Sequence, residues 1–388
     1  MKIRKWMIIG GITMLTAFAA AGCGSGKEVK NEQDNPVSPA AVEKESRVLK
    51  EAFEEDFTVG VAVNMGTLND SDRMKSVCSH FSSITMENEM KPDSLLDGKA
   101  TEKSSDGMPE INTKRLDLIL SRAKENSIPL RGHTLVWHNQ TPDWFFSKDY
   151  EPSKGLAGKG EMRKRMEAYI KKVLTYCQEN YPGVVYAWDV VNEAMADEGG
   201  YRTKSRWYEI YGDESYIEDA FTFARKYADP EVKLFYNDYN EYMPAKRGMI
   251  TATVKKLKEK GVLDGVGMQS HWDMDYPTAD LIDSALEKYG EIEGLEIQLT
   301  EIDMHNTDDS EEGLKVQADR YKEFFQTILR ADRTGKANIT NVTFWGVTDA
   351  DSWLTNFKGE TSYPLLFQGE MEKKPCYGSI LEAAREKY

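Results

Sequence analysis

From Phe57 onward the chain alternates, without interruption, between short apolar runs rich in β-branched residues and stretches whose apolar residues recur at helical spacing. The runs cover 57–63, 81–86, 129–137, 184–191, 233–236, 265–269, 295–299 and 341–346, and continuous apolar runs of this kind are the signature of strands buried on both faces. Between them, Leu116, Ile119, Leu120 and Ala123 form one helical stripe, and Met166, Tyr169, Ile170, Val173, Leu174 and Cys177 a second. A third runs through Ala318, Tyr321, Phe324, Phe325, Ile328 and Leu329. A chain of 388 residues with 40% hydrophobic content could build one large domain or two ordinary ones. The unbroken strand-then-helix alternation argues for one α/β domain, a single closed (β/α)8 TIM barrel, and places it at 41–388. No glycine-rich dinucleotide fingerprint follows any of the runs, which disfavours an open doubly wound sheet.

Such a barrel gathers its chemistry at the carboxyl ends of the strands. At those ends, from the second strand to the eighth, the chain reads MENEMK, GHTLVWHNQ, WDVVNEA, NDYN, MQSHW, LTEID and FWGVTDADSW. Polar, aromatic and ionisable residues pile up there, and of the five histidines only His80 lies outside this layer. The fourth run ends in Asn192 and Glu193, and the seventh in Glu301.

Two carboxyl groups facing each other across a barrel mouth can perform two-step glycoside hydrolysis, one protonating the leaving oxygen and the other attacking the anomeric carbon. They cannot both ionise cheaply at close range, so one is expected to keep its proton and serve as the acid. A single strand-end glutamate would read equally well as a rim salt bridge. The surroundings favour sugar chemistry: Asn192 can bond a hydroxyl beside the reacting centre, and Trp137, Trp345 and Trp353 offer flat faces to pyranose rings. Glu87, Asn88, Lys91, His133, Gln269 and His271 would add hydroxyl partners. Metal catalysis is the main competitor, because His133, His138, His271 and His305 all fall near the predicted mouth, but none has HExxH spacing. For His138 and His305 an ordinary hydrogen-bonded role is the plain alternative. No GxSxG elbow supports a serine hydrolase.

Taken together, GHTLVWHNQTPDWF, WDVVNEA, GMQSHW, LTEID and FWGVTDADSWL resemble glycoside hydrolase family 10, the endo-1,4-β-xylanases, over about 41–388. The resemblance implies a retaining mechanism on xylan and xylo-oligosaccharides, with Glu193 as acid/base and Glu301 as nucleophile. It also implies that Glu87, Asn88, Lys91, His133, Trp137, Asn192, Gln269, His271, Trp345 and Trp353 line the sugar subsites, with Asp303 holding His271. No cofactor and no metal are expected, and a monomer is. A barrel glycosidase acting on cellulose or mannan, and a surface lipoprotein that captures xylan without cutting it, are the alternatives. The stretch 147–161 (SKDYEPSKGLAGKGE) is expected to form a long loop near one end of the cleft.

At the amino terminus Lys2, Arg4 and Lys5 precede an apolar segment from Trp6 to Ala21, which reads as a secretory signal at 1–22. That segment is shorter than the roughly 20 residues of a bilayer span. Its end, AAGC, resembles the lipoprotein cleavage box, which would make Cys23 a lipidated first residue, although Ala20 replaces the usual larger aliphatic residue. A polar tether at 23–40 follows, with a composition that cannot bury enough surface to fold. The expected location is outside the cell, lipid-anchored at the surface or otherwise secreted. Cys78, Cys177 and Cys376 remain as core thiols, since three thiols make no disulfide framework. A formal charge of −15 argues against nucleic acid and against anionic lipid surfaces as partners.

Overall fold

Eight parallel strands close on themselves in the computed structural model, which describes residues 47–388. The expected signal segment, tether and Cys23 lie outside the described residues. The barrel strands are β1 (Thr58–Val63), β2 (Ser83–Met86), β3 (Leu130–Trp137), β4 (Val185–Asn192), β5 (Lys233–Asp238), β6 (Gly265–Met268), β7 (Glu296–His305) and β8 (Ile339–Phe344). Each pairs with the next, and β8 pairs with both β7 and β1, which closes the ring. The principal helix of each unit is α1 (Ser71–His80), α2 (Thr113–Glu125), α3 (Lys159–Asn180), α4 (Ser215–Tyr227), α5 (Pro244–Glu259), α6 (Ala279–Gly290), α7 (Glu311–Arg333) and α8 (Pro375–Ala384). All eight expected strands are present, and the three helical stripes fall on the buried faces of α2, α3 and α7.

Helix α7 shows why these segments take this form. Ser310 caps its amino end by accepting the Gly313 N–H at 3.2 Å, Glu311 and Glu312 occupy the positive first turn, and Arg330 and Arg333 the negative last one. Tyr321, Phe324, Phe325, Ile328 and Leu329 are fully buried. Burial of this kind stabilises by about 1.5–3 kcal/mol per large side chain.

Inside the barrel the side chains are largely polar. Arg131 forks onto Asp189, with Nη2 to Oδ1 at 2.6 Å, and its Nε reaches across to Gln298 Oε1 at 2.8 Å. A fully buried charge of this kind is tolerated only when paired and hydrogen-bonded. Gly132, beside it, has no room for a side chain: a Cβ there would lie 2.3 Å from the Trp188 ring.

One expectation needs correction. Strand β7 runs on to His305, well past Leu299, because 303–305 pair with a short strand at His271–Asp273. Glu301 and Asp303 are therefore held in the sheet itself. The 147–161 stretch contributes no residue to the lining of the cleft. It forms two single 3-10 turns, drawn down by buried Arg165 of α3, which donates to the Phe145 and Ser147 carbonyls at 2.8 Å each and stacks 3.7 Å from the Tyr150 ring. Among the described cysteines Cys177 and Cys376 are buried, with thiols pushed up to about 12 by burial, and Cys78 is half-buried.

Candidate active site

The carboxyl ends of the strands surround an open cleft of ≈ 870 Å³. The thirteen residues to which the family resemblance gives a part in the site all line it: Glu193 and Glu301, the ten expected sugar contacts and Asp303.

Glu301 belongs to β7, and its side chain is pinned from two sides. Asn237, at the end of β5, donates Nδ2–H to Oε1 at 2.7 Å, and His271 Nε2 lies 3.3 Å from Oε2. The other ring nitrogen of His271 lies 2.8 Å from Asp303 Oδ1, and Trp353 Nε1–H donates to Asp303 Oδ2 at 2.8 Å. Asp303 thus holds both an imidazole and an indole. Burial opposes the charge of His271, but its two carboxylate neighbours outweigh this and push the ring up to about 10. Burial would also raise the Glu301 carboxyl. The His271 hydrogen bond and the positive field of His133, His271 and Lys91 prevail and bring it down to about 2. Glu301 is a fixed carboxylate at neutral pH.

Glu193 stands one residue beyond β4, with φ at +56°, in the left-handed region. Trp137 Nε1–H donates to its Oε2 at 2.9 Å, while Gln269 Nε2–H and Asn192 Nδ2–H donate to its Oε1 at 3.0 and 3.2 Å. Asn192 Oδ1 in turn accepts from Asn237 at 2.9 Å and from Gln269 at 3.2 Å. A continuous chain of amides, Asn237 then Asn192, therefore joins the two carboxyl groups.

Some of the expected sugar contacts have other bonds in this structure. Gln269 and Trp137 hold Glu193 as just described. His133 Nδ1 lies 2.9 Å from Asp189 Oδ2, which ties the site to the buried charges below. Lys91 donates to Asn88 Oδ1 at 3.1 Å and Gln140 Oε1 at 3.0 Å, and it lies 4.8 Å from the Trp137 ring centre. Its pKa is lowered by burial, in part offset by Glu301, Glu87 and Glu193. Burial likewise raises Glu87. Trp345 packs edge-on to His133 at 5.4 Å.

The four histidines near the mouth do not converge. His305 Nδ1 bonds Ser362 Oγ at 2.9 Å and lines the cleft. His138 does not line it; its buried Nδ1 has no hydrogen-bond partner among the described residues, and burial pushes the ring down to about 4. Among the described residues no group of three or more His, Cys, Asp or Glu is arranged to hold a metal ion. His80 lies away from the mouth, with Nδ1 2.8 Å from the Tyr377 hydroxyl.

Sequence reasoning missed Asn237, which donates directly to Glu301, and Gln140, which steadies Lys91. Asn237 stood in the polar NDYN strand end, where its position was legible and its partner was not. Tyr242, Tyr276 and Phe357 also line the cleft unforeseen; Tyr276 and Phe357 are exposed aromatics on its rim.

The pattern of glycosyl hydrolase family 10 matches residues 48–383. Endo-1,4-β-xylanase B of Butyrivibrio fibrisolvens is 48% identical over 340 residues, 87% of this chain and 53% of that protein. The chain thus spans about half the length of that relative. A putative endo-1,4-β-xylanase of Caldicellulosiruptor saccharolyticus is 46% identical over 306 residues, 76% of this chain and 96% of its own. Among solved structures, the CBM22-1 and GH10 modules of endo-1,4-β-D-xylanase 10B from Clostridium thermocellum, complexed with xylohexaose, superpose with a TM-score of 0.78 at 40% identity, covering 87% of this chain and 68% of that one. With a closed parallel barrel, two carboxyl groups joined across its mouth and a family match that runs through nearly every described residue, the chain belongs to glycosyl hydrolase family 10.

Proposed function

We propose that the chain is an endo-acting, retaining β-1,4-xylanase that works by double displacement. The observation that carries this is the pair of carboxyl groups on one cleft, tied through Asn192 and Asn237, of which Glu301 is held ionised. Glu193 protonates the glycosidic oxygen while a Glu301 carboxylate oxygen attacks the anomeric carbon; the bond to the leaving sugar breaks and a glycosyl ester forms. Glu193, now a carboxylate, takes a proton from water as the water attacks the same carbon, and Glu301 leaves. Formation of the ester removes the negative charge of Glu301, which makes the second ionisation of the pair affordable.

The amide chain gives Asn192 a second use. Its amide stands between the two carboxyl groups, where it can bond a sugar hydroxyl beside the reacting carbon. His271 keeps Glu301 charged, and Asp303 keeps His271 charged. Trp345 and Trp353 supply flat faces for the sugar ring, and Glu87, Asn88, Lys91 and His133 supply polar partners to its hydroxyls. Xylan is the substrate because the relatives of similar sequence are named xylanases.

Reducing-sugar release from purified xylan, cellulose and mannan tests the substrate. Rapid shortening of xylan with a mixture of oligosaccharide products supports endo action, and turnover on cellulose or mannan but not xylan overturns the assignment. The export reading is tested separately. A diacylglyceryl group on Cys23, found by mass spectrometry of the native amino terminus, supports a surface anchor; a mature chain that begins elsewhere without lipid makes the enzyme simply secreted.

A further inference from the structure

Three residues, Glu193, Ala194 and Met195, turn the chain out of β4. Glu193 carries a φ of +56°, a conformation that costs a non-glycine residue free energy and persists only where neighbours over-determine it. Here every main-chain polar group of the three is claimed. Three of the six partners come from β5: the Asn237 carbonyl takes the Glu193 N–H at 2.9 Å, the Tyr236 hydroxyl takes the Ala194 N–H at 3.0 Å, and Asp238 Oδ2 takes the Met195 N–H at 3.4 Å. The other three come from one residue, Arg202. Its own N–H reaches the Ala194 carbonyl at 2.8 Å, Nε the Glu193 carbonyl at 3.0 Å, and Nη2 the Met195 carbonyl at 3.2 Å.

Arg202 is itself braced. Its Nη2 also donates to the Tyr239 hydroxyl at 2.9 Å, and that hydroxyl donates to Asp197 Oδ2 at 3.2 Å. Asp197 Oδ1 accepts from Lys246 Nζ at 3.0 Å, and the same ammonium lies 2.9 Å from Asp238 Oδ1. Lys246 and Asp238 are completely buried, so their pairing is fixed. The circuit closes on Asp238, which also holds the Met195 N–H. Neither Arg202 nor Lys246 lines the cleft.

We propose that Arg202 is a positioning residue for the reaction: its guanidinium fork holds the left-handed turn that aims the Glu193 carboxyl, with the Asp238–Lys246 pair as its brace. The proposal rests on Glu193 being the proton donor. A lysine at this position keeps the charge but has no fork with which to take two carbonyls at once. The turn then relaxes, and the carboxyl moves off the line to the glycosidic oxygen.

The test is kcat/KM, which reports the bond-breaking step, for Arg202→Lys and Arg202→Met on two substrates: xylotetraose, whose leaving sugar must be protonated, and 2,4-dinitrophenyl β-xylobioside, whose leaving group need not be. The ratio of the two rates cancels any loss of folded protein. Both variants are expected to lose about tenfold to a hundredfold on xylotetraose and far less on the aryl glycoside, the size of effect that a small misplacement of a reacting group produces. Glu193→Ala is the reference. Equal losses on both substrates in the Arg202 variants, with the reference still showing the split, overturn the positioning role alone. A reference that shows no split overturns the reading of Glu193 on which the proposal stands.

Discussion

Glu301 sits inside a strand and is held through its side chain; Glu193 sits one residue beyond a strand and is held through its main chain. The surroundings of Glu301 are charged: an imidazolium backed by Asp303, with Asn237 on the other oxygen. The hydrogen bonds to the Glu193 carboxyl come from neutral donors, Trp137, Gln269 and Asn192, above a turn in which every backbone group is bonded. The difference fits the roles proposed for the two groups. A nucleophile must stay ionised and still, which nearby cations and a rigid strand achieve. An acid that later serves as base must pass through both protonation states, and the turn held by Arg202 keeps its carboxyl aimed in each.

The comparison breaks first at Glu301. Glu301→Ala is expected to lower xylan turnover by about four orders of magnitude or more with the thermal unfolding midpoint nearly kept, and near-normal reducing-sugar release would exclude it as nucleophile. Glu193→Ala is expected to cost about 10²- to 10⁴-fold on xylan and far less on aryl glycosides with good leaving groups. Equal losses on both would remove its role as acid.

His271→Gln sharpens the charged half of the contrast. With the imidazolium gone, the Glu301 carboxyl rises from about 2 toward its ordinary value near 4.5, so the acid limb of the kcat/KM profile moves to higher pH. A limb that stays where it is in the variant would mean that His271 does not set the charge of Glu301. The smallest effect concerns stability. The ring of His271 is raised to about 10 in the folded state from an ordinary 6.5, so its contribution is fully present below pH 6.5 and is lost as pH climbs from 6.5 to 10. The unfolding midpoint should decline across that window, and His271→Gln should flatten the decline; an unchanged slope would show that the ring is not charged in the native protein.

Much of this was legible beforehand. The eight strands and the buried faces of α2, α3 and α7 could be read because continuous β-branched runs and period-3.6 patterns are local properties of the chain. The mouth residues could be read because a parallel barrel presents all its strand ends on one side, so a polar cluster after an apolar run has only one place to go. The conformation of the 147–161 loop was not legible because it depends on Arg165, a charged residue that has to find carbonyls for its buried guanidinium, and a sequence does not say which ones. The end of β7 was misjudged because pairing with His271–Asp273 prolongs it.

By itself, then, the sequence determined the barrel, the layer in which the chemistry sits and the residue types gathered there. Only the tertiary structure decided who touches whom. Asn237 meets Glu301 across 64 positions of sequence, and Arg202 reaches the carbonyls of the Glu193 turn from a segment with no pattern of its own. Such contacts depend on strand register and barrel closure, which bring distant side chains within about 3 Å, a distance at which a hydrogen bond either forms or does not.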